Sequence, residues 1–209
     1  TWCRIATFMA GPDRGSFWLP EVDDEVLIAF EHGDIRRPFV IGCLWNPIDP
    51  TIHDNDSQDG KNNFRTIFSR SGNVIQFQDD ADNKVERIIL QTKVQTGDAA
   101  KGPLDRDGHM IVIDHSDGAE QIYVSDREQK NYILIDMTNK KITIESKEGD
   151  IDILAKKGKV LIDCKELETK SEKTTKFKSG KAFSINSDST IESKSSSTHT
   201  IKGSKVNIN

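Results

Sequence analysis

Histidine side chains are the first candidates for chemistry in this 209-residue sequence, since imidazole binds metals and transfers protons near neutral pH. The five histidines show no spacing typical of a metal site. His199 is the one candidate, because three copies of the chain around a threefold axis would bring three imidazoles together if its side chain points inward. A structural site normally needs more than three such ligands. We therefore predict no metal and no other cofactor.

Pairs of carboxylates could act as general acid and base. Asp23 with Asp24, Asp79 with Asp80, and Glu31 with Asp34 are such pairs, but each lies in a polar stretch typical of a turn. No apolar sequence around them predicts a concave pocket. Phosphate-binding glycine loops, nucleophile elbows and zinc-helix motifs do not occur in the sequence. We predict no catalytic residues and no enzymatic activity.

Composition and charge favour an elongated or partly disordered chain. Hydrophobic residues make up 34% and charged residues 30% of the sequence, which is lean for an enzyme core. Residues 1–164 hold 20 Lys and Arg against 29 Asp and Glu, whereas residues 165–209 hold nine Lys against five acids. Such a basic end is usually a solvated face, so we predict no nucleic-acid binding. No apolar run approaches the roughly 18 residues of a membrane-spanning helix.

The amino terminus and the cysteines indicate the cellular compartment of the protein. Thr1-Trp2-Cys3-Arg4 has no initiator Met and no signal peptide, so we expect a fragment of a longer protein that is made in the cytoplasm. The three cysteines, an odd number without metal-type pairing, predict buried free thiols in a reducing compartment.

The elements of residues 1–45 are predicted to be short strands at 2–9, 25–31 and 37–45. A turn at Glu31-His32-Gly33-Asp34 joins the last two strands, with glycine supplying a positive φ. The fold class predicted here is all-β, beginning with a small antiparallel barrel whose aromatic residues seal its interior. Residues 46–63 are predicted to be a linker, because they are rich in Pro and Asp.

From residue 64 to 209 the sequence becomes a succession of short apolar alternations separated by polar or glycine turns. Two β-branched residues at i and i+2 place both side chains on one face of a strand. Six such pairs start 11, 11, 9, 9 and 9 residues apart. They are Ile111 and Ile113, Ile122 and Val124, Ile133 and Ile135, Ile142 and Ile144, Ile151 and Ile153, and Val160 and Ile162.

Two apolar residues per repeat contribute only roughly 3 to 6 kcal/mol before conformational entropy is subtracted. One chain therefore holds such repeats with difficulty. If three chains each supply one wall of a triangular β-prism, the six pairs meet at a common axis and form a trimer core. The alternatives are a monomeric β-solenoid and a meander of hairpins.

The stretch from Trp18 to Pro47 resembles the spike signature of VgrG proteins and phage baseplate V central spike proteins. It has a proline at position 20, Phe30-Glu-His-Gly-Asp34 at the end of an acidic hairpin strand, Arg37-Pro-x-x-x-Gly42, and Trp45-Asn46. Ser69-Arg-Ser-Gly-Asn-Val-Ile-Gln-Phe77 also resembles the start of that family's needle. The resemblance implies an OB-type barrel followed by an elongated trimeric β-helix.

The resemblance also implies a role, namely a homotrimeric, membrane-puncturing spike on the inner tube of a contractile injection machine. Phage tails, bacterial type VI secretion systems and extracellular injection particles all remain open. Implied partners are the inner-tube and hub proteins, a transiently contacted target membrane, and a conical PAAR-type tip protein or an effector. The tip partner is expected to contact Val206 and Ile208. The alternative function is a trimeric β-helical adhesin or a glycan-binding tail fibre.

Overall fold

The computed structural model describes residues 2–54, 60–95, 98 and 101–206, which are almost entirely β and irregular structure. The chain divides into two compact units, Thr1–Ile153 and Leu154–Asn209. No helix within the described residues is long and apolar enough to cross a membrane. The division into a barrel at 1–45, a linker at 46–63 and repeats at 64–209 stays a prediction.

The first part of the chain forms a three-stranded sheet and a separate short hairpin. The five strands are β1 (Arg4–Ile5), β2 (Ala10–Gly11), β3 (Arg14–Gly15), β4 (Val26–Phe30) and β5 (Pro38–Cys43). The sheet has the order β1-β5-β4, with β4 antiparallel and β1 parallel to β5. The prediction of a purely antiparallel domain is therefore wrong for β1, which is separated from β5 along the chain by the β2–β3 hairpin and by β4.

The turn between β4 and β5 follows the sequence prediction. Gly33 has φ +78°, a left-handed conformation that glycine adopts without steric cost, and the preceding His32 is left-handed as well. Arg4 and Arg37 both approach the Glu31 carboxylate, at 3.1 and 3.8 Å. These ion pairs join the start of β1 to the β4–β5 turn.

Several side chains that we expected to be buried are exposed in this part of the chain. The indoles of Trp2, Trp18 and Trp45 are 99, 57 and 70% exposed, so they do not seal a barrel interior here. A three-stranded sheet has too little surface to enclose side chains of this size. Cys43 and Cys164 are also exposed and Cys3 is half-buried, so the prediction of buried thiols is wrong for two of the three.

The second sheet has seven antiparallel strands that neighbour one another in chain order. They are β6 (Phe64–Phe68), β7 (Val74–Asp80), β8 (Val85–Gln91), β9 (Met110–Asp114), β10 (Gln121–Ser125), β11 (Asn131–Asp136) and β12 (Lys141–Ser146). Four of the six predicted pairs lie in β9 to β12, one pair to a strand. The sheet is a meander of hairpins within one chain.

Two hairpin turns of this sheet share one local design. Asp80 in the β7–β8 turn accepts hydrogen bonds from the Asn83 backbone and side-chain nitrogens, and Asp136 in the β11–β12 turn does the same for Asn139. Lys84 and Lys140, which follow the asparagines, are left-handed with φ 54°. An Asp-x-x-Asn-Lys sequence therefore defines the two turns through its own side chains.

One face of the seven-stranded sheet carries the packed core. Ile89, Met110, Val112 and Tyr123 form a buried cluster, against which Tyr132 and Leu134 pack. The connection between β8 and β9 lies on this side of the sheet, and we call its described residues, 92–95, 98 and 101–109, the strap. Val94, Pro103 and Arg106 of the strap are buried against the sheet.

Two glycines hold the strap close to the sheet. Gly108 has φ +118°, and a β-carbon there would lie 1.6 Å from the Thr92 carbonyl oxygen. Gly72 has φ +79°, and its β-carbon would lie 2.4 Å from the Val94 carbonyl oxygen. Both the conformation and the space therefore require glycine at these positions.

The second unit consists of segments without regular secondary structure joined by bends, and its described residues, 154–206, are all exposed and contain no strand. Its bends have an eight-residue period. The hydroxyls of Ser179, Ser187 and Ser195 each donate to the carbonyl three residues later and accept from the amide two residues later. Serine in this arrangement replaces a backbone turn bond with a side-chain bond.

Candidate functional site

The face of the seven-stranded sheet opposite the strap is covered with apolar side chains. Cross-strand pairing aligns them in two rows, one from Ile67 to Ile144 and one from Phe77 to Ile142. We call these thirteen residues the apolar face. They are Ile67, Ile75, Phe77, Ile88, Leu90, Ile111, Ile113, Ile122, Val124, Ile133, Ile135, Ile142 and Ile144.

The apolar face has no cover within the described residues of the chain. Ile122 is half-buried, and the other twelve side chains are exposed over fractions that range from 36% at Ile135 to 69% at Ile142. On the strap side of β7 to β10 the central side chains are buried, as Ile89 at 0% and Val112 at 2% exposure show. Continuous apolar surfaces of this kind mark sites of association in soluble proteins.

Eight of the twelve residues predicted for a trimer core lie on this face, namely the pairs of β9, β10, β11 and β12. Sequence reasoning missed five members: Ile67, Ile75, Phe77, Ile88 and Leu90. Two pairs among them, Ile75 with Phe77 and Ile88 with Leu90, carry the same i, i+2 signal. These two pairs are separated from the later pairs in the sequence, because the strap lengthens the interval that precedes Ile111.

The remaining predicted core residues lie outside any described strand. Ile151 and Ile153 end the first unit, and Val160 and Ile162 begin the second; all four are exposed. A strand requires a neighbouring backbone to pair with, and within the described residues these segments have none. The structure therefore does not bring the last two pairs together with the other four.

The second unit places its apolar residues in register with its serine bends. Phe183, Ile191 and His199 are eight residues apart, and so are Phe177 and Ile185, while Phe177 and Phe183 stack across a bend with ring centroids 5.6 Å apart. His199 thus occupies a position equivalent to two apolar residues. No group of three potential metal ligands occurs among the described residues. Val206 is exposed, and Ile208 lies outside the described residues.

A polar cluster joins the strap to the strands beneath it. The buried Arg106 guanidinium donates to Gln76 Oε1 at 2.7 Å and, through Nε, to the Lys101 carbonyl at 2.9 Å. Burial lowers the pKa of Arg106 to about 10, partly offset by the negative charge of Asp98. Burial first, and then the charge of Arg106, lower the pKa of His53, which stacks on Phe64. These groups hold the strap and the segment around His53 in place.

The carboxylates considered for acid and base chemistry are engaged in turns and ion pairs. Asp24 accepts from the Glu21 amide at 2.8 Å, and Asp34 pairs with Arg36 at 3.0 Å. Asp80 defines its hairpin turn, and Asp79 pairs with Arg65. These contacts are those of solvated turns.

Comparison with known proteins assigns the first segment. Residues 1–45 match the family described as the type VI secretion system/phage-baseplate injector OB domain. The match covers β1 to β5 and therefore includes the mixed three-stranded sheet.

Curated relatives point to the same group of proteins. The chain is 31% identical over 71 residues to the type VI secretion system spike protein VgrG4b of Pseudomonas aeruginosa, which is 34% of this chain and 9% of that protein. It is 24% identical over 78 residues to VgrG1a of the same organism, which is 37% of this chain and 12% of that protein. The chain thus spans about a tenth of the length of these relatives. The resemblance is confirmed: residues 1–45 match the injector OB domain, and over about a third of its length the chain is similar to VgrG spike proteins.

Proposed function

We propose that the chain is the needle portion of a structural, membrane-puncturing spike of a contractile injection machine, acting as a rigid homotrimer. The match to the injector OB domain and the similarity to VgrG spike proteins support a role in such a machine. The apolar face is the observation that supports the trimer, because within the described residues of one chain two rows of apolar side chains stay partly exposed to water. Three such faces packed about one axis would remove them from water together.

The second unit supports the same arrangement. Its described residues have no strand and no ladder partner among the described residues of the chain. Backbone groups without a partner in their own chain must be bonded either by water or by the backbone of another chain. In the proposed trimer, segments from the other two chains supply those partners. The eight-residue bends would then turn each chain from one wall of the prism to the next.

A mechanical role follows from this assembly. Strands bonded to neighbours on both sides leave few free edges, so an axial push meets a stiff ladder of backbone hydrogen bonds. The proposed function is therefore force transmission rather than catalysis. Proposed partners are the hub and inner-tube proteins at one end and a PAAR-type tip protein or effector at the end that contains Val206. The protein would be made in the bacterial cytoplasm and delivered outward into a target envelope.

The test is the solution mass of the chain and of Ile133→Asp, measured by light scattering. Ile133 lies on the apolar face between Val124 and Ile144 of the neighbouring strands, where a carboxylate would be buried without a partner at the proposed interface. We expect a mass near three times 23.5 kDa for the parent chain and a monomer for the variant.

The control is Ile35→Asp, at a position that is 78% exposed in the β4–β5 turn and outside the apolar face. It should leave the mass unchanged. A stable monomeric parent chain would rule out the trimer and favour the hairpin meander as the whole assembly. A trimer that survives Ile133→Asp would show that the apolar face is not its interface.

A further inference from the structure

The strap side of the seven-stranded sheet has a groove that the spike role does not use. Two cavities, of about 340 and 530 Å³, lie on this face and share Leu104, Gln121 and Tyr123 in their linings. Leu104 is at the turn of the strap, and the Gln129 side chain donates to its carbonyl at 2.8 Å. We call the two cavities together the strap groove.

The floor of the strap groove is aromatic with polar tips. Tyr123 and Tyr132 lie with ring centroids 5.6 Å apart at an interplanar angle of 45°. Tyr123 is only 9% exposed, yet within the described residues its hydroxyl makes no hydrogen bond, whereas the Tyr132 hydroxyl donates to Glu145. The Tyr123 ring packs in the core cluster while its side chain also lines the groove, where a water or a ligand can complete the hydrogen bonds of the hydroxyl. The Gln121 amide next to it is also unbonded in the described part of the chain.

The rim of the strap groove is polar but nearly balanced in charge. Arg87 Nε donates to Asp114 at 2.6 Å, and Asp114 is further fixed by the amide of Ser116 at 2.9 Å. Lys147 and two further carboxylates, Asp105 and Glu128, complete the charged lining. Two cations against three anions give no field strong enough to select a highly charged ligand.

We propose that the strap groove binds a neutral oligosaccharide. The half-buried Tyr132 ring offers an apolar surface to the face of a sugar ring, whereas the Tyr123 ring belongs to the core and contributes its hydroxyl. The Tyr123 hydroxyl and the Gln121 amide would bond to sugar hydroxyls, and the partly exposed Arg87 guanidinium, held by Asp114, would add a donor of set orientation. The site lies on the side away from the apolar face, so it does not depend on the trimer.

Other ligand classes fit the strap groove less well. A peptide that adds a strand needs a free sheet edge, whereas the floor residues Arg87, Tyr123 and Tyr132 come from interior strands of the sheet. Nucleic acid needs a surplus of cations, which the lining lacks. An acyl chain would leave the rim carboxylates and amides without partners.

The test is calorimetric titration of the full 209-residue chain with chitotetraose and with maltohexaose, which represent N-acetylated and unsubstituted glycans. We expect saturable binding of at least one of the two sugars. The sugar that binds more tightly shows whether the groove prefers N-acetylated or unsubstituted glycans. Tyr123→Phe keeps the ring and removes the hydroxyl, so it should weaken binding about fivefold, the effect of losing one neutral hydrogen bond. Gln121→Ala should weaken binding by a similar factor.

Leu19→Ala is the control, since Leu19 is exposed far along the chain from the strap groove and its loss should not alter binding. If Tyr123→Phe does not fold, Gln121→Ala alone decides. Absence of binding by both sugars, or equal binding by the parent chain and the folded variants, would overturn the proposal. If light scattering shows that the chain does not form a trimer, the outcome of the sugar titration would not be affected.

Discussion

Gly108 shows how far one residue controls the strap. Its positive φ, and the 1.6 Å that would separate an added methyl group from the Thr92 carbonyl oxygen, mean that Gly108→Ala forces the backbone to move. We expect a loss of about 2 to 3 kcal/mol in the free energy of unfolding, measured by urea denaturation.

Gly118→Ala is the matched control for that substitution. Gly118 also has a positive φ, at +73°, but no atom lies within 4 Å of its would-be β-carbon. It should lose only about 1 kcal/mol, the conformational part of the effect. Equal losses of unfolding free energy at both positions would mean that the structure relieves the contact with Thr92 without a loss of stability.

The turn aspartates make the sheet sensitive to acid. The Asn139 side chain, followed by its backbone amide, lowers the pKa of Asp136 below 3.8. A carboxylate whose folded pKa is depressed stabilises the fold above its unfolded pKa and loses that effect as the pH falls through the folded pKa. Asp136→Asn should therefore flatten the dependence of the urea midpoint on pH below about 4. Asp152→Asn, at an exposed position outside these turns, should leave the slope as it is.

The strap is the element whose attachment rests most on one side chain. Arg106→Met keeps the apolar stem but removes the donors to Gln76 and Lys101. Bonds from a charged donor are worth about 2 kcal/mol, so local opening of the strap should become about 10- to 30-fold more frequent. The rate of tryptic cleavage after Lys101 measures this opening.

Arg127→Met provides the comparison at the same element. Arg127 reaches Asp107 of the strap at 3.2 Å, but both side chains are more than half exposed. Exposed ion pairs contribute little, so the cleavage rate should change less than about twofold. A large effect here and none at Arg106 would place the attachment on the surface of the strap.

The elements also show which parts of the fold the sequence predicts. Ile111 with Ile113 and the three pairs after it predicted four strands, since period-two alternation of β-branched residues is a local signal. The strap was missed because Val94, Pro103 and Arg106 have no period, and their burial depends on a sheet distant in sequence. The strap groove was missed for the same reason, since Leu104 meets Tyr123 only where the strap lies on the sheet.

At the scale of the whole molecule, we expect the second unit to be ordered only in the oligomer. Its backbone lacks ladder partners within the described chain, so amides in 160–200 should resist hydrogen exchange only at protein concentrations where light scattering finds the oligomer. Amides of β7 and β8, which pair within the chain, should stay protected on dilution. Protection in 160–200 that is independent of concentration would contradict the shared ladder.

The serine bends at 179, 187 and 195 have a consequence for how such a segment changes in length during evolution. Duplicating eight residues adds one whole repeat and keeps Phe183, Ile191 and their successors on the same side of the chain. In the strands of the proposed trimer, inserting a single residue would transfer every later apolar side chain to the opposite side, because the side-chain period of a strand is two. Related chains should therefore differ in the length of this segment by multiples of eight residues. The length of the segment would then change in fixed steps.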